Sequence, residues 1–193
     1  MAAFGHVALE LVALGAPPEL IEAAHQDALD EVRHARLCYG VAASFDGVGH
    51  GPAPFAGAVL PPERPTTLHA VCIDALTESA WLERASALVA AELAERAENS
   101  PLRAVLREIA VDEARHADHG IDTLDWGLGQ DSALHDVLLS AWRYVRVEKH
   151  LPHAPDGLTA CGIADQELWR TCLQQAHDAL GAWLLARVAR RAA

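Results

Sequence analysis

Two short stretches of the chain repeat the same pairing of carboxylate and imidazole side chains. The hexapeptide DEVRHA at residues 30–35 returns as DEARHA at residues 112–117, so that Glu31 and Glu113 stand 82 positions apart. In each copy the Glu precedes the His by three residues, which on an α-helix places both side chains on one face about one turn apart. Carboxylate and imidazole groups in this arrangement are typical ligands of iron, manganese and zinc.

Both Glu-x-x-His pairs fall within the apolar stripe of the helix that should carry them. Ala24 and Ala28 precede the first pair at helical spacing, and Leu106 and Ile109 precede the second. A single pair of this kind is usually an exposed contact on a helix surface. Because burying a carboxylate without compensation is costly, and because the motif recurs in the same context, we favour metal binding over surface contacts.

Turn signals divide the chain into the helices that would position these pairs. Gly15-Ala16-Pro17-Pro18 separates the first two helices, and Asn99-Ser100-Pro101 supplies an N-cap and a first-turn proline for the fourth. A Gly/Pro-rich loop at 46–65 can span the length of a helix and link two antiparallel hairpins. We predict four core helices at 1–14, 18–44, 66–97 and 101–126, and two further helical segments at 132–150 and 165–191.

The composition fits one all-α domain, 1–193. The chain of 193 residues is 51% apolar but only 5% aromatic, which favours helices over strands. Its net charge of −12 argues against binding to duplex nucleic acid. No charge-free apolar stretch reaches the roughly 20 residues of a membrane span, and the first residues do not read as a secretion signal. The four cysteines form no Cys-x-x-Cys pair, so we expect reduced thiols in a cytoplasmic protein.

The duplicated Glu-x-x-His motif on matched helices resembles the ferritin-like di-iron carboxylate family over residues 1–126. The resemblance implies a four-helix core bundle with one long crossover, followed by two extra helices in a C-terminal extension at 132–193. It also implies two iron ions, or manganese or a mixed Fe/Mn pair. The ligands it implies are Glu31 and Glu113 as bridging carboxylates and His34 and His116 as terminal ligands.

One more carboxylate is expected from the first helix of the second hairpin. Glu83 and Glu78 both stand at the separation from Glu113 that the family resemblance implies. Residues that lie level in a hairpin are about equally far from its turn, and this favours Glu83 when the turn is placed near Asn99. Glu78 stays open as the alternative ligand.

The first hairpin departs from the family pattern. Residues 1–5 contain no carboxylate, and Glu10 lies too near its turn to reach the level of Glu31. Either the first helix is truncated at its start or the site lacks one ligand, so we expect one metal to be held tightly and the other weakly. For His119, three residues after His116, the alternatives are a side chain that contacts the metal ligands and an exposed side chain, and we expect the exposed one.

The resemblance implies a non-haem oxidoreductase or oxygenase that activates dioxygen or peroxide. Two alternatives are an iron store and a metal-free helical scaffold or interaction bundle, the latter favoured by the missing carboxylate. The expected partners are a small-molecule oxidant and an unidentified substrate, with no nucleic acid and no membrane. The sequence leaves the oligomeric state open, a homodimer included.

Overall fold

The computed structural model describes residues 2–53 and 66–191, with side chains at 4–53 and 66–187. Every regular element in these ranges is helical, which confirms the prediction of an all-α fold. Among the described residues no helix combines the length and the apolarity needed to cross a bilayer. The greater part of the predicted crossover, residues 54–65, lies outside the described residues.

The chain divides into two compact units, Met1–Leu68 and His69–Ala193. The first unit contains a helical hairpin of α1 (Ala2–Ala13) and α2 (Pro18–Asp46). Gly15 closes the turn with a φ of 68°, a conformation that glycine adopts without steric penalty, and the amide of Ala16 donates to the carbonyl of Leu11 at 3.0 Å. The facing apolar residues of the two helices are buried: Phe4, Ala8, Leu11, Leu20 and Ala24.

The second unit begins with one uninterrupted helical rod whose hydrogen-bonding pattern changes from α to π and back to α along its length. The rod comprises α3 (Leu68–Asp74), a π-helix (Ala75–Glu83) and α4 (Arg84–Arg96). A turn at Asn99 leads into α5 (Ser100–Gln130), which packs along both α4 and the π-helix. As predicted, Asn99 caps α5, because its side-chain oxygen accepts from the amide of Leu102 at 3.1 Å.

The π-helix was not predicted, although the spacing of the buried residues reflects it. Buried pairs stand four positions apart before this segment and five apart within it, as expected when each turn holds one more residue. The pairs in question are Val71 and Cys72, Ala75 and Leu76, and Ala80 and Trp81. π-Helical turns are rare and are frequently found at functional sites.

Gly120 on α5 allows the closest helix contact in this unit. A Cβ added at this position would lie 2.6 Å from the amide nitrogen of Ala80 and 2.8 Å from the Cβ of Ser79. Only glycine therefore fits where α5 crosses the π-helix.

The C-terminal helices α6 (Leu134–Trp142) and α7 (Gln166–Arg191) complete the second unit. α7 packs on α4 and on the π-helix, where the indole nitrogen of the fully buried Trp81 donates to the carbonyl of Leu173 at 3.0 Å. Trp142 meets the Trp81 ring edge-on at 5.7 Å and stacks with the His177 ring at 4.6 Å. Two single-turn 3₁₀ helices, Val147–Lys149 and Thr159–Cys161, lie between α6 and α7.

Two predicted helix ends differ from the observed ones. α5 continues to Gln130 rather than stopping at Trp126, because its hydrogen bonding runs on through the buried Gly127, whose carbonyl accepts from Asp131. The helix predicted at 132–150 ends at Trp142. There the guanidinium of Arg146 donates to the carbonyls of Arg143 at 2.6 Å and Val145 at 2.8 Å, which stabilises a turn in place of a further helical turn.

Candidate metal centre

The first copy of the hexapeptide lies in the middle of α2 and forms two side-chain pairs within the helix, one Asp–Arg and one Glu–His. Arg33 pairs with Asp30 at 3.1 Å, and the Nδ1 atom of His34 lies 3.2 Å from a carboxylate oxygen of Glu31. Asp30 and His34 are buried, whereas the Glu31 side chain keeps 28% of its surface exposed.

The second copy, on α5, repeats both pairs. Arg115 donates to Asp112 at 3.0 Å, and the Nδ1 atom of His116 lies 3.6 Å from a carboxylate oxygen of Glu113. Asp112 and Glu113 are buried, and His116 has no exposed surface. The repeated sequence therefore folds into a repeated local structure, with an Asp–Arg pair beside a Glu–His pair.

The burial of these groups excludes the interpretation of both motifs as exposed helix surface. His34, Glu113 and His116 are all buried, with at most 8% of their surface exposed, as the apolar stripes of the two helices indicated. The burial of an ionisable pair requires compensating hydrogen bonds or charge. A bound cation is one such source of charge.

The two candidates for the third-helix ligand differ in exposure. Glu83 is the last residue of the π-helix and is half-buried, while Glu78, in the first turn of the same segment, is exposed. This difference favours Glu83, and its role as a ligand stays a prediction.

The expectation that His119 is exposed was wrong, because this side chain is 6% exposed. α5 stays packed beyond His116, and its buried face continues through Gly120 and Thr123 to Gly127. His119 follows His116 by three residues and so lies on that same face.

Two further carboxylates in the first unit are deeply buried: Asp27 was not considered as a ligand from the sequence, and Glu10 was set aside because it lies too near its turn. Asp27 is 1% exposed on α2, and Glu10 is 3% exposed on α1, where His6 lies 3.5 Å away. Asp27 precedes Glu31 by four residues, and this spacing is the sequence signal that places it on the Glu31 face. Glu10 has its own imidazole partner.

Cys38 lies one turn after His34, and the first Glu–His pair affects the pKa of its thiol. Desolvation raises the pKa of its thiol; His34 lowers it in opposition, and the Glu31 carboxylate adds to the rise. The thiol of the metal-free protein is therefore protonated at neutral pH.

The described residues include buried aspartate, glutamate and histidine side chains that could hold a metal ion, together with the half-buried Glu31. In the first unit these side chains are Asp27, Asp30 and Glu31, and in the second unit they are Glu113 and His116. They include three of the five predicted ligands and add two aspartates; the assignments of His34 and Glu83 remain predictions. Oxygen donors with an imidazole suit divalent iron, manganese or zinc.

Comparison of the chain with models of known protein families, with curated proteins and with solved structures finds no match.

Proposed function

We propose that the protein is a non-haem di-iron, or mixed Fe/Mn, oxidoreductase or oxygenase of the ferritin-like type. The proposal is carried by one observation: a hexapeptide that occurs twice also forms the same Asp–Arg and Glu–His side-chain pairs twice, each with a buried histidine. Glu–His pairs with a purely structural role would not need to occur twice within the same hexapeptide. Two equivalent ligand pairs are what a two-metal centre requires.

The proposed ligands are Glu31, His34, Glu83, Glu113 and His116. Glutamate oxygens would be shared between two ions, with each histidine as a terminal donor. Redox-active ions held in this way, with open coordination positions, supply the chemistry for activating dioxygen or peroxide.

The residues of the chain have defined tasks in this proposal. The Nδ1 atom of His34 lies 3.2 Å and that of His116 3.6 Å from a carboxylate oxygen of the paired Glu, which sets an imidazole donor beside a carboxylate donor in each pair. The neighbouring Asp–Arg pairs compensate two buried aspartates and limit the negative charge that accumulates beside the glutamates.

We propose a cytoplasmic location for the protein. All four cysteines are free thiols, which supports the proposed cytoplasmic location. The proposed co-reactant is a small oxidant, dioxygen or peroxide, together with a substrate of undefined class.

The proposal is tested with protein purified without chelators, by elemental analysis followed by oxygen consumption after loading with ferrous iron. We expect bound iron or manganese in the parent and faster oxygen uptake than in a Glu113→Ala variant. The control is His50→Ala. This exposed histidine follows the end of α2 and pairs with Asp46, the last residue of that helix, at 2.7 Å. Parent protein that holds no metal would instead support a scaffold, and stored iron without turnover would support an iron store.

A further inference from the structure

A cleft of about 330 Å³ opens in the second unit, where the end of α6, the turn that follows it and α7 meet. Its walls combine two rings with apolar and charged side chains, among them Trp142, Arg143, Val145, Arg146, Glu148 and His177. This volume lies at the lower end of the range of small-molecule pockets, which have apolar walls and a few polar groups. None of the proposed metal ligands lines the cleft.

The indole nitrogen of Trp142 has no hydrogen-bond acceptor among the described residues. Trp142 is only 8% exposed, and the N–H group of a buried tryptophan usually has a partner. The neighbouring Trp81 has one, because its indole nitrogen donates to the carbonyl of Leu173 at 3.0 Å. Gly181 on α7 avoids crowding the Trp142 nitrogen, since a Cβ there would lie 3.1 Å from it. The Trp142 N–H group is therefore a donor that an acceptor atom of a ligand can satisfy.

The charged side chains of the cleft favour an anion. Two arginines and one glutamate line it, in a chain whose net charge is −12. Arg146 stabilises the turn, because it donates to the carbonyls of Arg143 at 2.6 Å and Val145 at 2.8 Å. The guanidinium of Arg143 pairs with no described residue and can bind an anionic ligand. The Glu148 carboxylate, which also lacks a partner in the described part of the chain, disfavours a second negative charge on that ligand.

The rings of the cleft supply an apolar surface. The His177 ring stacks on Trp142 with the centroids 4.6 Å apart and the planes at 18°. The His177 side chain keeps 26% of its surface exposed, so the stacked pair presents ring surface to a ligand. Val145 adds an aliphatic contact at the same cleft. An apolar or planar group can therefore pack here while a charged group reaches the nitrogen donors.

We infer that this cleft binds a small organic carboxylate with one negative charge and an apolar or aromatic body. The carboxylate accepts from the indole nitrogen of Trp142 and pairs with the guanidinium of Arg143. The body packs against His177 and Val145. Because the cleft contains none of the proposed metal ligands, this inference is independent of the proposed function.

The test is a titration of isotope-labelled full-length protein with benzoate, followed by proton–nitrogen correlation NMR. The indole signal of Trp142, identified by its loss in Trp142→Phe, should shift progressively and saturate. Arg143→Gln should weaken binding by about tenfold or more, as expected when a charge-assisted pair is lost. The matched control is Arg170→Gln on α7, whose guanidinium pairs with Glu167 at 2.7 Å outside the cleft. This control should bind benzoate within about twofold of the parent.

An uncharged analogue tests the requirement for an anion. Benzamide keeps the ring and an acceptor oxygen but carries no negative charge, so it should bind about tenfold more weakly than benzoate. A Trp142 indole signal that does not shift with millimolar benzoate overturns the inference, as does equal affinity of the parent and Arg143→Gln. If Trp142→Phe does not fold, the affinity of Arg143→Gln decides, because Arg143 is exposed and its replacement leaves the core intact.

Discussion

Replacing Gly120 by alanine should destabilise the protein, because the added methyl group meets backbone atoms of the π-helix. The new Cβ would lie 2.6 Å from the nitrogen of Ala80 and 2.8 Å from the Cβ of Ser79. Favourable contacts between heavy atoms begin near 3.5 Å, so α5 and the π-helix would have to separate. Overpacking of this kind costs about 1–3 kcal/mol, and backbone contacts cannot relax through a side-chain rotation.

Alanine also brings a gain that must be subtracted. In a helix interior it is about 1 kcal/mol more favourable than glycine. We therefore expect a net loss of up to about 2 kcal/mol in the free energy of unfolding, which for a chain of this size lowers the melting temperature by up to about 8 °C. Thermal unfolding followed by circular dichroism measures this shift.

The matched control for this substitution is Gly129→Ala on the same helix. A Cβ at Gly129 meets no atom within 4 Å, so the helix-propensity gain acts alone and stability should stay equal or rise by up to about 1 kcal/mol. A Gly120→Ala variant as stable as the Gly129→Ala variant would refute the argument from close packing.

Two further predictions concern the cap of α5 and the reactivity of the cysteines. Asn99→Ala should lower the free energy of unfolding by about 1 kcal/mol in urea denaturation, since the amide of Leu102 loses its acceptor; an unchanged midpoint would contradict this. Burial raises the pKa of Cys72 to about 12 and that of Cys172 to about 11, so in the folded protein both should resist iodoacetamide at pH 8 while the exposed Cys161 reacts. Mass spectrometry should show the alkylation of the two buried thiols rising from pH 8 to pH 10 as the thiolate fraction grows, and a Cys72 that reacts as fast as Cys161 at pH 8 would contradict this.

The helices could be predicted because their signals are local. Gly15 with the prolines after it, and Asn99 with Pro101, end and start helices through backbone conformation and capping, which neighbouring residues determine. The π-helix escaped prediction because its cause is tertiary. Its five-residue spacing of buried side chains accompanies the close approach of Gly120, and nothing in the adjacent sequence announces that approach.

The candidate site was predicted where the sequence repeats and missed where it does not. The duplicated hexapeptide identified the Glu–His pairs, and the structure confirms the burial of His34, Glu113 and His116. Asp27 has no equivalent in the second hairpin, so a comparison of the two copies could not single it out. His119 was misjudged because its burial depends on how far α5 remains packed, which periodicity alone does not define.

The most direct test of the metal centre is an anaerobic ferrous titration of metal-free parent protein beside a His116→Ala variant. His116 is fully buried, lies on the second copy of the motif and belongs to the donor groups that could hold a metal ion. We predict two ferrous ions per parent chain, one bound tightly and one weakly, and loss of the tight ion in His116→Ala with an unchanged helical circular dichroism spectrum. Equal iron binding by the two proteins, or none by the parent, would contradict the account.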